Sequence, residues 1–170
     1  EIIHSITRTG MAEKFIITIS RLIRQCSIDM LHIIGDIFDR GGGAAKIMDR
    51  LLTYHSLDIQ WGNHDILWMG AASGSRTLVA TVLANSLRYN NLEVIETGYG
   101  ISLRPLSVFA NEVYRDCDVH CFEVKLTGED ASHYTEKDKL LAARMHKAIT
   151  IILFKLEGQK LLRNPSFGMA

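Results

Sequence analysis

Leu31-His32-Ile33-Ile34-Gly35-Asp36-Ile37-Phe38-Asp39-Arg40-Gly41 is an apolar run stopped by a glycine, after which two carboxylates and a guanidinium crowd into one loop. The short run Leu31-His32-Ile33-Ile34, stopped by Gly35-Asp36, reads as a buried parallel strand. Leu57-Asp58-Ile59-Gln60-Trp61 repeats the arrangement and ends at Gly62-Asn63-His64-Asp65. Between the two, Ala44, Ile47, Met48, Leu51, Leu52 and His55 recur at three and four residues, the spacing of one helix face. Strand, loop, helix, strand and loop make a parallel β-α-β unit, whose loops both leave the carboxyl ends of neighbouring strands. Ligands bind at that edge of such sheets.

Working outward, Ala12, Phe15, Ile16, Ile19, Leu22, Ile23 and Cys26 predict a preceding helix over roughly 11–26. Downstream, apolar spacing predicts helices near 75–89, 105–115 and 137–156, and Leu92-Glu93-Val94-Ile95 predicts a further strand. Gly98, Gly100 and the polar stretch from Thr127 to Thr135 are loop candidates, too short for an interdomain linker. The expected fold class is therefore α/β: one domain over 1–170, with the β-α-β core within 1–100 and a mainly helical segment over 101–170.

The chain has 170 residues, 47% of them hydrophobic and 22% charged, the composition of an ordinary globular protein. Nineteen basic and nineteen acidic residues cancel, which argues against a nucleic-acid or membrane-surface partner held by bulk charge. A small ligand fits better. The three cysteines, Cys26, Cys117 and Cys121, follow no disulfide framework and predict a reducing cytoplasm. The apolar run Ala148–Leu156 is too short for a membrane span. The sequence opens on Glu1 in mid-pattern and reads as cut at both ends.

Burying unpaired charge is costly, so the 35–41 loop needs counter-charge. Hard divalent cations prefer oxygen ligands, a carboxylate can bridge two of them, and an Asn oxygen adds a neutral ligand. Asp36 and Asn63 have those chemistries. Paired metals in phosphatases clamp a phosphoryl group and make a bound water nucleophilic near neutral pH. Arg40 can grip phosphate oxygens with its bidentate fork, and His64 can donate a proton to a departing alkoxide if a carboxylate such as Asp39 fixes its tautomer.

Together the two segments resemble the Gly-Asp-x-x-Asp-Arg-Gly and Gly-Asn-His-Asp/Glu motifs of the calcineurin-like metallophosphoesterases. Either motif alone reads as a turn; their conjunction at two strand ends is the signal. The longer stretches Leu31–Gly41 and Asp58–Ala71, with Met145–Ile152 and Phe154–Gln159, are similar to the class III fructose-1,6-bisphosphatases of Firmicutes and related bacteria. The resemblance implies a partial metallophosphoesterase α/β sandwich, with Asp36 bridging two divalent ions, manganese in that family, and Asn63 binding the second. It also implies His64 as general acid paired with Asp39, Arg40 on the phosphate, and Asp65 as a supporting partner. The reaction implied is fructose 1,6-bisphosphate to fructose 6-phosphate plus phosphate, in gluconeogenesis.

Protein phosphatases usually carry Leu-Arg before Gly-Asn-His-Glu, whereas this chain has Gln60-Trp61 and then Asp65, which favours a sugar phosphate. The superfamily's Asp-x-His motif would precede Glu1 and its later metal-binding histidines would follow Ala170. Gly42 stands where relatives usually have Pro. A non-catalytic fragment or binding module, and a phosphatase for phosphoproteins or dinucleoside polyphosphates, remain competing readings. Cys117, His120 and Cys121 carry zinc-binding chemistry, but no second ligand pair follows at finger spacing, and His32, His55, His133 and His146 read as structural. No Gly-x-Ser-x-Gly elbow or Gly-x-x-x-x-Gly-Lys loop is present.

Overall fold

The computed structural model describes residues 1–126 and 134–167. His133 and most of the Thr127–Thr135 loop candidate lie outside the described residues. The chain divides into two compact units, Glu1–Ile34 with Met48–Gln60, and Gly35–Ile47 with Trp61–Ala170.

In the first unit, α1 (Ile2–Arg8) and α2 (Ala12–Ser27) precede β1 (Leu31–Ile33), which pairs in parallel with β2 (Leu57–Ile59). The register sets Leu31 against Leu57, His32 against Asp58 and Ile33 against Ile59. Alternation follows from the period of two: residues 31 and 33 are half-buried while His32 is exposed. The Gln60 N–H donates to the Ile33 carbonyl at 2.9 Å, one bond past the last paired residue. His32 Nδ1 lies 2.6 Å from Asp58 Oδ2 across the register, the partner that its structural reading requires. The 16-residue α2 carries the predicted apolar stripe, yet none of its residues is buried.

The helix α3 (Ala44–Leu51) contributes residues to both units. The second unit continues with α4 (Asn63–Ala72), α5 (Arg76–Arg88), a wide π turn over Val94–Gly98, α6 (Arg104–Val113), a 3-10 turn over His120–Phe122 and α7 (Glu136–Arg163). Its core forms where α5, α6 and α7 pack, around Ala80, Leu87, Ala110, Met145, Ala148 and Ile149. Three alanines at these crossings let the helix backbones approach closely, while Leu87, Met145 and Ile149 fill the remaining space. Ser75 caps α5 through the Leu78 N–H, and Thr135 caps α7 through the Asp138 N–H.

The strand expected at Leu92–Ile95 is instead the start of the π turn. Ile95 and Glu96 both donate to the Leu92 carbonyl, at 3.0 and 2.9 Å, and Val94 and Ile95 are buried in the helical core. No strand lies in the second unit among the described residues, so this run has no edge to pair with and satisfies its backbone locally. The second departure is α4: Gly62-Asn63-His64-Asp65, read as a loop, is the entry to a helix of 10 residues. The class is α/β with helix predominating and a two-stranded parallel sheet. Among the described residues no helix is long and apolar enough to cross a membrane.

Candidate active site

Both motif loops belong to the second unit. Gly35 and Asp36 are consecutive residues in the left-handed region, with φ of 77° and 51°. Glycine adopts that conformation freely, whereas an L-residue pays roughly 1–2 kcal/mol, least for Asp and Asn. A carboxylate held there against backbone preference marks a position where its direction matters.

The second loop meets the first through three contacts. Gly62 lies so close to Asp36 that a β-carbon on it would collide with the Asp36 carboxylate and stand 2.6 Å from the Asp36 backbone nitrogen. At the second residue of α4, the His64 N–H donates to Asp36 Oδ1 at 3.2 Å. The third contact is Asp65, whose Oδ1 accepts from the Phe38 N–H at 3.1 Å and whose Oδ2 accepts from the Gly62 N–H at 3.0 Å. Asp65 is 1% exposed. A buried carboxylate is tolerated when its lone pairs are satisfied, and here it caps the first turn of α4 while fastening the other loop to it. Asp65 is thus a clasp between the two motifs.

His64 Nε2 lies 3.2 Å from Asp39 Oδ1, and the same oxygen accepts from Arg40 Nε at 3.2 Å. The His64 and Asp39 side chains are 25% and 35% exposed, Arg40 63%. Asp39 is therefore half-buried and shared by a half-buried imidazole and a solvent-facing guanidinium. The structure brings Asp36, His64, Asp39 and Arg40 together by direct contact, ties Asp65 to the same two loops through the Phe38 and Gly62 N–H groups, and sets Asn63 between Gly62 and His64, both of which touch Asp36.

Asp36 and Asn63 offer the oxygen donors that hard divalent cations prefer, so the donor set fits such ions in kind. Two donors fall short of the six or more that each ion takes. Among the described residues no group of three or more His, Cys, Asp or Glu side chains could hold a metal ion. All three cysteines are exposed free thiols. His146 Nδ1 lies 3.0 Å from the Phe122 carbonyl and His55 stacks on Tyr54 at 4.9 Å, so both are structural.

Sequence reasoning missed an aromatic group behind the first loop. Phe38 packs on Trp68 of α4 with ring centroids 4.9 Å apart, and both approach Tyr99, at 6.4 and 5.7 Å. This packing holds Phe38, whose N–H donates to Asp65 Oδ1, at the side of α4. Only the motif position of Phe38 and Trp68 hinted at this. Gly42 faces the flexible end of Glu93, whose Oε2 would stand 3.0 Å from an added β-carbon.

Compared with known proteins, residues 1–170 match the profile of the Firmicute fructose-1,6-bisphosphatase family. The chain is 54% identical over 169 residues to the class 3 fructose-1,6-bisphosphatase of Alkaliphilus metalliredigens, covering 99% of this chain and 25% of the relative. It is 54% identical to that of Listeria monocytogenes and 53% identical to that of Bacteroides thetaiotaomicron, with 99% of this chain covered in each case and 26% and 25% of the relatives. The chain spans about a quarter of the length of the curated relatives it matches. No solved structure matches it.

Proposed function

Since this chain belongs to the Firmicute fructose-1,6-bisphosphatase family, we propose that it carries the phosphate-holding and proton-donating half of a metal-dependent sugar-bisphosphatase site. The reaction is hydrolysis of fructose 1,6-bisphosphate to fructose 6-phosphate and phosphate, in the cytoplasm. The three free thiols support that compartment. The observation that carries the reading is the single oxygen Asp39 Oδ1, 3.2 Å from both His64 Nε2 and Arg40 Nε. It assembles an acid, its orienting carboxylate and a phosphate-gripping cation in one place.

Asp36 and Asn63 would hold two divalent ions, manganese by family resemblance, together with donors that the same resemblance puts outside residues 1–170. Those ions would supply charge for the phosphoryl oxygens and an activated water. The chain's own residues do the rest. Arg40 orients the phosphoryl group through its outer nitrogens, while its Nε stays on Asp39. Asp39 fixes the imidazole by accepting from Nε2, which leaves Nδ1 as the atom that hands a proton to the departing sugar oxygen. Gly62, by having no β-carbon, lets Asp36 lie against the start of α4. We take β1 and β2 to be neighbouring strands of the larger superfamily sandwich.

The test uses the complete protein with manganese. His64→Asn is expected to keep its metal and to slow an alkyl phosphate by roughly 10²–10⁴-fold, and a phenyl phosphate with its better leaving group far less. Asp36→Asn is expected to lose metal and activity together. Loss of metal in His64→Asn, or equal slowing of both esters, would overturn the acid assignment. Faster turnover of a phosphoprotein or dinucleoside polyphosphate than of fructose 1,6-bisphosphate would overturn the substrate.

A further inference from the structure

Three cations from three separate segments of the second unit meet on one aromatic ring. The Arg40 guanidinium carbon stands 4.8 Å from the Tyr89 ring centroid, Lys125 Nζ 5.4 Å and the Arg88 guanidinium carbon 5.7 Å. Local backbone geometry builds this meeting. Helix α5 ends at Arg88, Asn90 turns the chain through the left-handed region at φ 55°, and the Tyr134 hydroxyl donates to Asn90 Oδ1 at 2.6 Å. The Lys125 N–H donates to the Arg88 carbonyl at 2.9 Å, which brings the third segment alongside.

A cation on a solvent-accessible aromatic face gains only about 0.5–1 kcal/mol, and neighbouring like charges repel one another. The ring alone is a weak reason to collect three positive charges. Arg40 has Asp39 as a counter-ion, but among the described residues neither Arg88 nor Lys125 is paired with a carboxylate. The chain's formal net charge is zero, so this concentration is local. Among the described residues no carboxylate answers Arg88 and Lys125, and a second phosphate group, beside the one that Arg40 orients, has the charge and geometry to accept from both.

Arg40 joins the cation group to the candidate active site, because its Nε is on Asp39 while its guanidinium carbon is over Tyr89. Resting on the sugar-bisphosphatase reading above, we infer that Arg88 and Lys125, gathered with Arg40 on Tyr89, bind the phosphate that is not hydrolysed. A bisphosphate fills both places; a monoester fills one. The group is thus the specificity device that separates a sugar bisphosphate from a sugar monophosphate, and it retains the phosphate of the product fructose 6-phosphate.

The experiment compares kcat and KM of the complete manganese-loaded protein on fructose 1,6-bisphosphate and on fructose 1-phosphate. Arg88→Gln and Lys125→Met are each expected to raise KM for the bisphosphate about tenfold, the worth of one charge-assisted hydrogen bond. Turnover at saturation should fall much less, the preference for the bisphosphate should narrow by the same factor, and Lys125→Arg should restore most of it. Unchanged discrimination, or equal losses on both esters, would overturn the inference. Binding decides it independently of turnover. Fructose 6-phosphate titrated into the 170-residue chain and followed by NMR should shift Arg88 and Lys125 and bind about tenfold more weakly to Lys125→Met. Absence of those shifts would overturn the phosphate place even if hydrolysis is robust. Their presence in a protein that hydrolyses neither ester would sustain it while the hydrolase reading fails.

Discussion

At the scale of single residues, backbone and chemistry make separable demands on Asp36. Its left-handed φ of 51° penalises most L-residues but not glycine. Asp36→Gly relieves about 1 kcal/mol of strain and loses a similar amount in chain entropy and in the bond from the His64 N–H. Its urea-unfolding free energy should therefore stay within about 1 kcal/mol of the parent. Asp36→Val, β-branched and unsuited to that region, should cost about 2 kcal/mol or more. Equal stability of the two variants would show that the backbone is not held as described. Gly62→Ala should be damaging for a different reason, since its new methyl meets Asp36 backbone as well as side chain and one element must move. The roles of Gly35, Asp36 and Gly62 were legible as a motif, but the contact that requires Gly62 was not, because nothing in a sequence states which backbone lies against which.

At the scale of elements, the long helices were legible because a period near 3.6 sustained over ten or more residues fits little besides a helix; α2, α5 and α6 fall where the apolar spacing puts them, and α7 starts there but runs on past 156 to Arg163. Short runs were not. Leu92–Ile95 is as apolar as β1, and only the absence of a neighbouring strand in its unit makes it a turn. The entry to α4 was hidden because its cap position is Gly62, which has no side chain to announce a helix, and the capping group is Asp65 reaching back. The start of α7 has the recognisable form, Thr135 with Asp138 three residues on, and it yields a pH dependence. The Asp138 carboxyl is held below its ordinary 3.8 by the Thr135 hydroxyl first and the Thr135 N–H second, with slight desolvation opposing. A lowered folded value means that the ionised form is favoured by folding, so this contribution is fully present above pH 3.8 and is lost as pH falls through the folded value. NMR of the Thr135 amide should show the first turn of α7 loosening in that acid range, with no such transition in Asp138→Asn.

At the scale of the whole molecule, the chain buries a helical core yet leaves Phe15, Ile16, Leu22 and Ile23 of α2 between 40% and 63% exposed. Scattered exposed apolar residues are ordinary, but four on one stripe of one helix form a patch. With no net charge to keep copies apart, the isolated chain should bind a hydrophobic dye and self-associate with rising concentration. Ile16→Glu with Ile23→Lys should reduce both in light scattering and fluorescence without lowering helix content. An unchanged response would place the apolar surface elsewhere. Asp65 has a further consequence, for the order of events in folding. It joins residues 27 positions apart through one side chain, so neither motif can settle before the intervening chain has looped back. Until the second motif arrives, the Phe38 amide lacks its Asp65 acceptor and Asp36 lacks its contacts with Gly62 and the His64 N–H. A ribosome releasing this chain would therefore expose the first motif unfinished, and the site would snap into form late, as one cooperative event.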